Sequence, residues 1–269
     1  INKIISIATT ESRGITNTLR LGFLLRKENI QIFYTLTDSF RSSFVLWLSK
    51  SKKRIGYNLQ GRGVFLTVKI KLPLKKTHRY KKYLKLIEKD DTSINQKLIF
   101  FKKEEIEWAK HEIKELGIKN PVGLFPFSVS ETRTFPNGKI SEWLKGSKEN
   151  FLIFGAKNDS QKANVIINKN KNISMVSLCG KYSLRQSMAL ISLCKYALAA
   201  DSGLGHISSI IKIPTISFFG ANRALVTKPI GKSCVVIDQS NRCNPCKKNI
   251  CCLKSINKDD VNSSINSLI

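Results

Sequence analysis

The sequence predicts an α/β protein built on a parallel, doubly wound sheet, and three observations point there. From Pro121 onward, short apolar runs alternate with amphipathic stretches at a regular spacing, the rhythm of successive β-α units. The apolar segments are 4–6 residues long, rich in Ile, Val, Leu and Phe, as strands buried on both faces are. Between two of them lies Asp201-Ser202-Gly203-Leu204-Gly205-His206, an acid, a hydroxyl and a glycine at a strand's carboxyl end and a helix's amino end. In an open α/β sheet ligands bind at that place.

The elements follow in order. Residues 31–36 read as a buried strand and 38–48 as a helix with an apolar face through Phe40, Phe44, Val45 and Leu48, with Asp38 as its cap. Residues 54–57 are a short strand leading to a turn. The stretches 77–89 and 104–116 have the three-four spacing of amphipathic helices, with Gly117 as a C′ residue for the second. Strands are then expected at 122–126, 151–155, 173–178 (an edge), 195–200, 214–219 and 234–237. Helices are expected at 140–144, 162–168, 184–194 and 207–211, and a terminal helix opens with Asp259 and Asp260, acids that suit its dipole. The boundary between two α/β halves is expected at 118/119, giving domains 1–118 and 119–269.

Composition sets the outer limits. With 269 residues, 42% hydrophobic and 9% aromatic, the chain can bury one large core or two modest ones. Lys and Arg number 46 against 19 Asp and Glu, a formal charge of +27 that favours anionic partners: nucleic acid, lipid headgroups or phosphorylated sugars and nucleotides. Lys, Ile and Asn are all abundant, as codon bias in an AT-rich genome would make them, and this explains most of the excess. Against a nucleic-acid partner, neither a recognition helix nor an RNA-binding aromatic motif is present. No apolar run approaches the roughly 18–20 residues of a membrane span.

Three loops fall at strand carboxyl ends. The first, 126–136, offers Ser128, Ser130 and Arg133; the second, 155–161, offers Asp159, placed to accept from ribose hydroxyls; the third is the 201–206 turn. There is no Walker A sequence and no G-x-G-x-x-G. In the third loop Ser202 either caps the helix or donates to a phosphate, Gly203 removes a Cβ that would hold an anion off the backbone, and His206 either packs or touches a ligand. An ordinary N-cap before a core helix has the same spacing. Of seven cysteines, Cys179, Cys194 and Cys234 sit in apolar surroundings as core thiols. Cys243, Cys246, Cys251 and Cys252 form a cluster that suits either zinc or a redox-sensitive loop, the vicinal second pair being poor geometry for two tetrahedral ligands.

Together these residues resemble the ADP-heptose:lipopolysaccharide heptosyltransferases, glycosyltransferase family 9. The resemblance rests on T-D-S-F-R-S-S at 37–43, K-R-I-G-Y at 53–57, Arg62, the Ser/Arg loop ending in F-P, F-G-A at 154–156, L-C-G-K-Y-S-L at 178–184, D-S-G-L-G-H at 201–206, I-P-T with F-G at 213–220, and C-N-P-C at 243–246. It spans roughly residues 30–260 and is most similar to the heptosyltransferase II type. It implies a GT-B fold, two Rossmann-like domains with parallel sheets facing across a cleft, the first incomplete here. It also implies transfer of a heptose from ADP-heptose to the inner core of lipopolysaccharide, inverting, with no cofactor and no obligatory metal. The partners implied are the ADP-heptose donor, a phosphorylated lipid A-core acceptor and the anionic inner face of the inner membrane, for a cytoplasmic protein.

By the same resemblance Arg133 takes the place of a phosphate-contacting lysine in K-x-W-P. Ser128 and Ser130 occupy the hydroxyl-bearing loop, Asp159 the ribose position, and Lys181 with Tyr182 the adenine side. Asp201 corresponds to the acid that contacts the heptose, and Ser202 and Gly203 to the diphosphate turn. The family's general base is an aspartate in an early G-D loop, which no residue before 30 supplies; it is expected upstream of Ile1, with Asp38 a poor substitute. Two other readings remain: a related enzyme using another nucleotide sugar, and a basic nucleic-acid-binding protein.

Overall fold

The computed structural model describes residues 4–7, 14–74, 76–88, 99–231, 233–242 and 252–268. They fall into two compact units, Ile1–Thr92 and Ser93–Ile269.

The first unit runs α1 (Ile15–Arg26), β1 (Ile32–Tyr34), α2 (Phe40–Leu48), β2 (Lys53–Tyr57), β3 (Val68–Ile70) and α3 (Arg79–Leu86). Its strands form a parallel sheet in the order β1-β2-β3. Val45, Leu46 and Leu48 bury the inner face of α2. Arg62 is fully buried beneath the turn before α2: its Nε donates to Tyr57 O at 2.7 Å, and its Nη2 lies 3.8 Å from Asp38 Oδ1. Burial pulls the Arg62 pKa down and Asp38 opposes the shift. The N-cap position is Ser39, so Asp38, expected as the cap, instead stands one residue outside the helix and half exposed beside Arg62. Helix α1 and strand β3 were not anticipated. The alternation Leu66-Thr67-Val68-Lys69-Ile70-Lys71-Leu72 is a period-2 signal for β3, whereas α1 buries only Thr18 and Gly22 and leaves Ile15 and Phe23 exposed.

The second unit runs α4 (Lys103–Glu115), β4 (Val122–Phe125), α5 (Asn137–Trp143), β5 (Phe151–Ile153), α6 (Ser160–Lys169), β6 (Met175–Ser177), α7 (Leu184–Ile191), β7 (Ala197–Ala200), α8 (Gly203–Ile210), β8 (Thr215–Phe219), α9 (Ala224–Thr227), β9 (Cys234–Asp238) and α10 (Lys258–Asn266). All six strands are parallel, in the order β6-β5-β4-β7-β8-β9. This is the doubly wound order that starts in the middle and reverses once, between β4 and β7. Alternate residues feed two cores. Val122, Leu124, Phe151, Ile153, Leu198 and Phe218 pack on one face with Trp143 of α5 and Ile166 of α6. Phe125, Leu152, Ala197 and Ala199 pack on the other with Ala109 of α4 and Ala189 to Ile191 of α7.

Helix α4 was assigned by sequence to the first domain and belongs to the second unit, which moves the division from 118/119 to Thr92/Ser93. Ala109 and Ile113 bury one face of α4 in the second core, and an amphipathic helix is held by whatever covers that face. The expected C′ glycine is there: Gly117 has φ +67°, and Ile118 N–H reaches back to Ile113 O at 3.2 Å. A second tie joins α4 to α7. Arg185 Nε and Nη2 donate to the Glu105 carboxylate at 2.6 and 2.8 Å. The Arg185 hydrogen bond, then the Lys102 N–H, hold the Glu105 pKa down to about 2. A depressed carboxylate stabilises the fold above its ordinary value of 4.5 and ceases to do so as pH falls toward 2. Urea midpoints are expected to fall across that window, and Arg185→Met should flatten the fall.

Candidate functional site

The carboxyl ends of β4, β5, β6 and β7 open into one cavity of about 910 Å³, within the size range of ligand pockets and at the sheet's switch point. Four loops build its wall.

The loop after β4 folds back on itself. Phe135 N–H donates to Pro126 O at 2.8 Å, and Ser128 N–H to Thr134 Oγ1 at 3.1 Å. A 3-10 turn over Glu131–Arg133 then turns Arg133 into the cavity. Phe135 itself is core, packed on Trp143 and Phe218 with ring centroids 5.2 and 4.7 Å away. The F-P pair after Arg133 therefore anchors the loop.

After β7, Asp201 is 5% exposed and Ser202 occupies the N-cap of α8. The helix begins at Gly203, four residues before the expected 207, because the turn residues themselves take helical geometry. Ser202 makes no side-chain cap, and its Oγ is buried without a hydrogen-bond partner among the described residues. The N-cap side chain therefore leaves the first turn of α8 uncapped, the arrangement that receives anions. A Cβ on Gly203 would meet nothing within 4 Å, so the approach to those N–H groups is open. Gly205 is needed for a different reason: its Cβ would come within 3.0 Å of Ala199, where α8 crosses β7.

Ser128 Oγ donates to Asp201 O at 3.1 Å and so ties the two loops together. Arg133 Nη1 stands 3.6 Å from Asp201 Oδ2, which also accepts from Asn222 Nδ2 at 2.6 Å. Asn222 lies between β8 and α9 and carries no motif that sequence reasoning could have used.

Asp159 lines the cavity from the loop after β5, with its Oδ2 accepting from Ala156 N–H at 2.9 Å. Gly180 has φ +68° and lies against the Lys157 backbone, 2.5 Å from Lys157 Cα to where its Cβ would be, so only glycine fits. Tyr182 presents its ring to the cavity and donates its hydroxyl to the Glu112 carboxylate. Burial first, then Glu112, push its pKa up to about 12, so the phenol stays protonated.

Six expected residues line the cavity: Ser128, Arg133, Asp159, Tyr182, Ser202 and Gly203. Asp201 joins them through Arg133. Ser130 shares a hydrogen bond with Thr132 at 2.8 Å, Lys181 is exposed on the Tyr182 loop, and His206 sits one turn into α8; none of these three lines the cavity. Lys157 and Lys162, unremarked in the sequence, do line it, and Lys162 Nζ lies 3.9 Å from Glu131 Oε1. The arrangement can hold a polyanion between a guanidinium and a helix amino terminus, beside a buried carboxylate suited to hydroxyls.

Cys179, Cys194 and Cys234 are free thiols whose pKa burial raises, Cys194 to about 12. Cys243, Cys246 and Cys251 lie outside the described residues, and Cys252 is buried. Among the described residues no group of three or more metal-ligating side chains comes together. No described helix is long and apolar enough to cross a membrane.

Fold and cavity define a doubly wound α/β protein with a ligand-sized cavity at its switch point. The chain belongs to glycosyltransferase family 9 (heptosyltransferase), whose profile matches residues 18–257; it is a glycosyltransferase. It is 27% identical to lipooligosaccharide heptosyltransferase 2 of Campylobacter jejuni over 91% of this chain and 78% of that protein. Among solved structures it matches E. coli ADP-heptose lps heptosyltransferase II with a TM-score of 0.69 and 20% identity, over 93% of this chain and 80% of that one. It matches E. coli heptosyltransferase WaaC with ADP with a TM-score of 0.67 and 14% identity, over 100% and 84%. The fold is that of these GT-B enzymes.

Proposed function

We propose that this chain transfers a heptose from ADP-heptose to the inner core of lipopolysaccharide, with inversion and without a metal ion. The observation that carries the reading is the pairing of Arg133 with the uncapped amino terminus of α8 on one cavity wall. The names of the curated relative and of the solved structure with ADP support it. The diphosphate lies against the first-turn N–H groups and Ser202 Oγ, which would gain its missing partner. Arg133 supplies the positive charge that a divalent ion provides elsewhere. Asp201 accepts from a heptose hydroxyl, Asp159 from the ribose, and the Tyr182 ring flanks the adenine.

In transfer, an acceptor hydroxyl oxygen bonds to the anomeric carbon from the face opposite ADP as the bond from that carbon to the diphosphate oxygen breaks. A carboxylate takes the hydroxyl proton. Arg133 and the helix terminus stabilise the charge that grows on the departing diphosphate. The first unit serves the acceptor. Its groove lined by Phe23, Trp47, Arg26, Lys50 and Arg54, aromatic and cationic together, suits peripheral contact with an anionic bilayer at the cytoplasmic face.

The test follows ADP release and acceptor mass with ADP-heptose, a heptose-deficient lipopolysaccharide and the enzyme carrying any sequence that precedes Ile1. Expected is a mass gain of one heptose, unchanged by EDTA. Transfer from another nucleotide sugar but not from ADP-heptose would overturn the donor assignment, and inhibition by EDTA the metal-free one.

A further inference from the structure

Asn222 bears on how the cavity keeps its guanidinium available. Its Nδ2 donates to Asp201 Oδ2 at 2.6 Å, and that same oxygen stands 3.6 Å from Arg133 Nη1. Asp201 is buried at 5% exposure, whereas the Arg133 side chain keeps 27%. A buried carboxylate must be satisfied, and its strongest available partner is a guanidinium in a two-pronged, charge-assisted pair. Such a pair would close Arg133 to any second anion. The amide instead satisfies Oδ2 with a neutral donor, and Arg133 remains at ion-pair rather than hydrogen-bond distance.

We infer that Asn222 is a positioning residue for donor binding: by holding Asp201 it keeps Arg133 free for the diphosphate of a nucleotide sugar. Both described contacts of the carboxylate fall on Oδ2, which leaves Oδ1 as the oxygen for a sugar hydroxyl. The inference rests on the donor-site reading above, and goes beyond it by assigning a role to a residue outside the cavity's lining. Loss of Asn222 harms nucleotide binding only while Asp201 is present to capture Arg133.

The experiment is calorimetric titration of ADP into the full chain for wild type, Asn222→Ala, Asp201→Ala, the double variant and Arg133→Ala. Asn222→Ala is expected to weaken ADP about tenfold, which corresponds to about 1.4 kcal/mol. Asp201→Ala should not weaken ADP, which carries no sugar, and adding Asn222→Ala to it should change nothing further. Asn222→Ser retains a donor and should lose less than Asn222→Ala. A role in packing alone would weaken ADP equally in both backgrounds, and that result overturns the inference. So does an inert Asn222→Ala when Arg133→Ala does weaken ADP, and then the donor site stands. Indifference of ADP binding to Arg133→Ala overturns the donor-site reading and this inference with it.

Discussion

Arg133→Ala is expected to lower kcat/KM for the nucleotide sugar by roughly 10²–10³, the cost of removing one donor aimed at developing charge. ADP affinity should fall by roughly 10- to 100-fold, from about 1.5–3 kcal/mol for a lost charge-assisted hydrogen bond. The effect is large because the Arg133 loop is held in place: Phe135 packs in the core two residues later, and Ser128 N–H donates to Thr134 Oγ1 at 3.1 Å. Arg133→Lys keeps the charge but not the fork, so it should recover part of the binding and less of the rate. Steady-state kinetics beside ADP titration separates the two. Equal losses in Arg133→Lys and Arg133→Ala would show that fork geometry, rather than charge, is what the site requires.

Trp143→Ala should have the largest effect on stability. Trp143 is 3% exposed, stacked on Phe218 at 4.9 Å and edge-on to Phe135 at 5.2 Å, and its Nε1 donates to Ile256 O at 3.0 Å. Emptying that volume costs about 3–5 kcal/mol, a large share of a total of about 5–15 kcal/mol. Trp143→Phe keeps much of the packing and mainly orphans the Ile256 carbonyl, a cost of about 1–3 kcal/mol. Urea unfolding resolves both. Because Phe135 ends the Arg133 loop, the Ala variant should also weaken ADP in whatever fraction stays folded, whereas Trp143→Phe should affect it much less.

The alternation of apolar runs after Pro121 was sufficient to predict the parallel sheet, because strands buried on both faces and helices buried on one leave different periods in the chain. Local chemistry likewise marked the α4 C′ glycine and the acidic start of α10, and it put the Asp-Ser-Gly turn and the Ser/Arg loop at strand carboxyl ends, where both line the cavity. Domain membership of α4 and the start of α8 at Gly203 were not legible, since each depends on what the residues pack against. The same holds for the partners of Asp201. Asn222 lies 21 residues away in sequence and Ser128 lies 73 away, yet both meet it because β4, β7 and β8 are side by side. Sequence by itself determined most elements of the parallel sheet after Pro121 and which loops carry polar groups, through periods and turn residues that act within a few positions. Only the tertiary structure decided which of those groups touch and which strand ends share an edge, because hydrogen bonds and ion pairs depend on distances that chain order does not set.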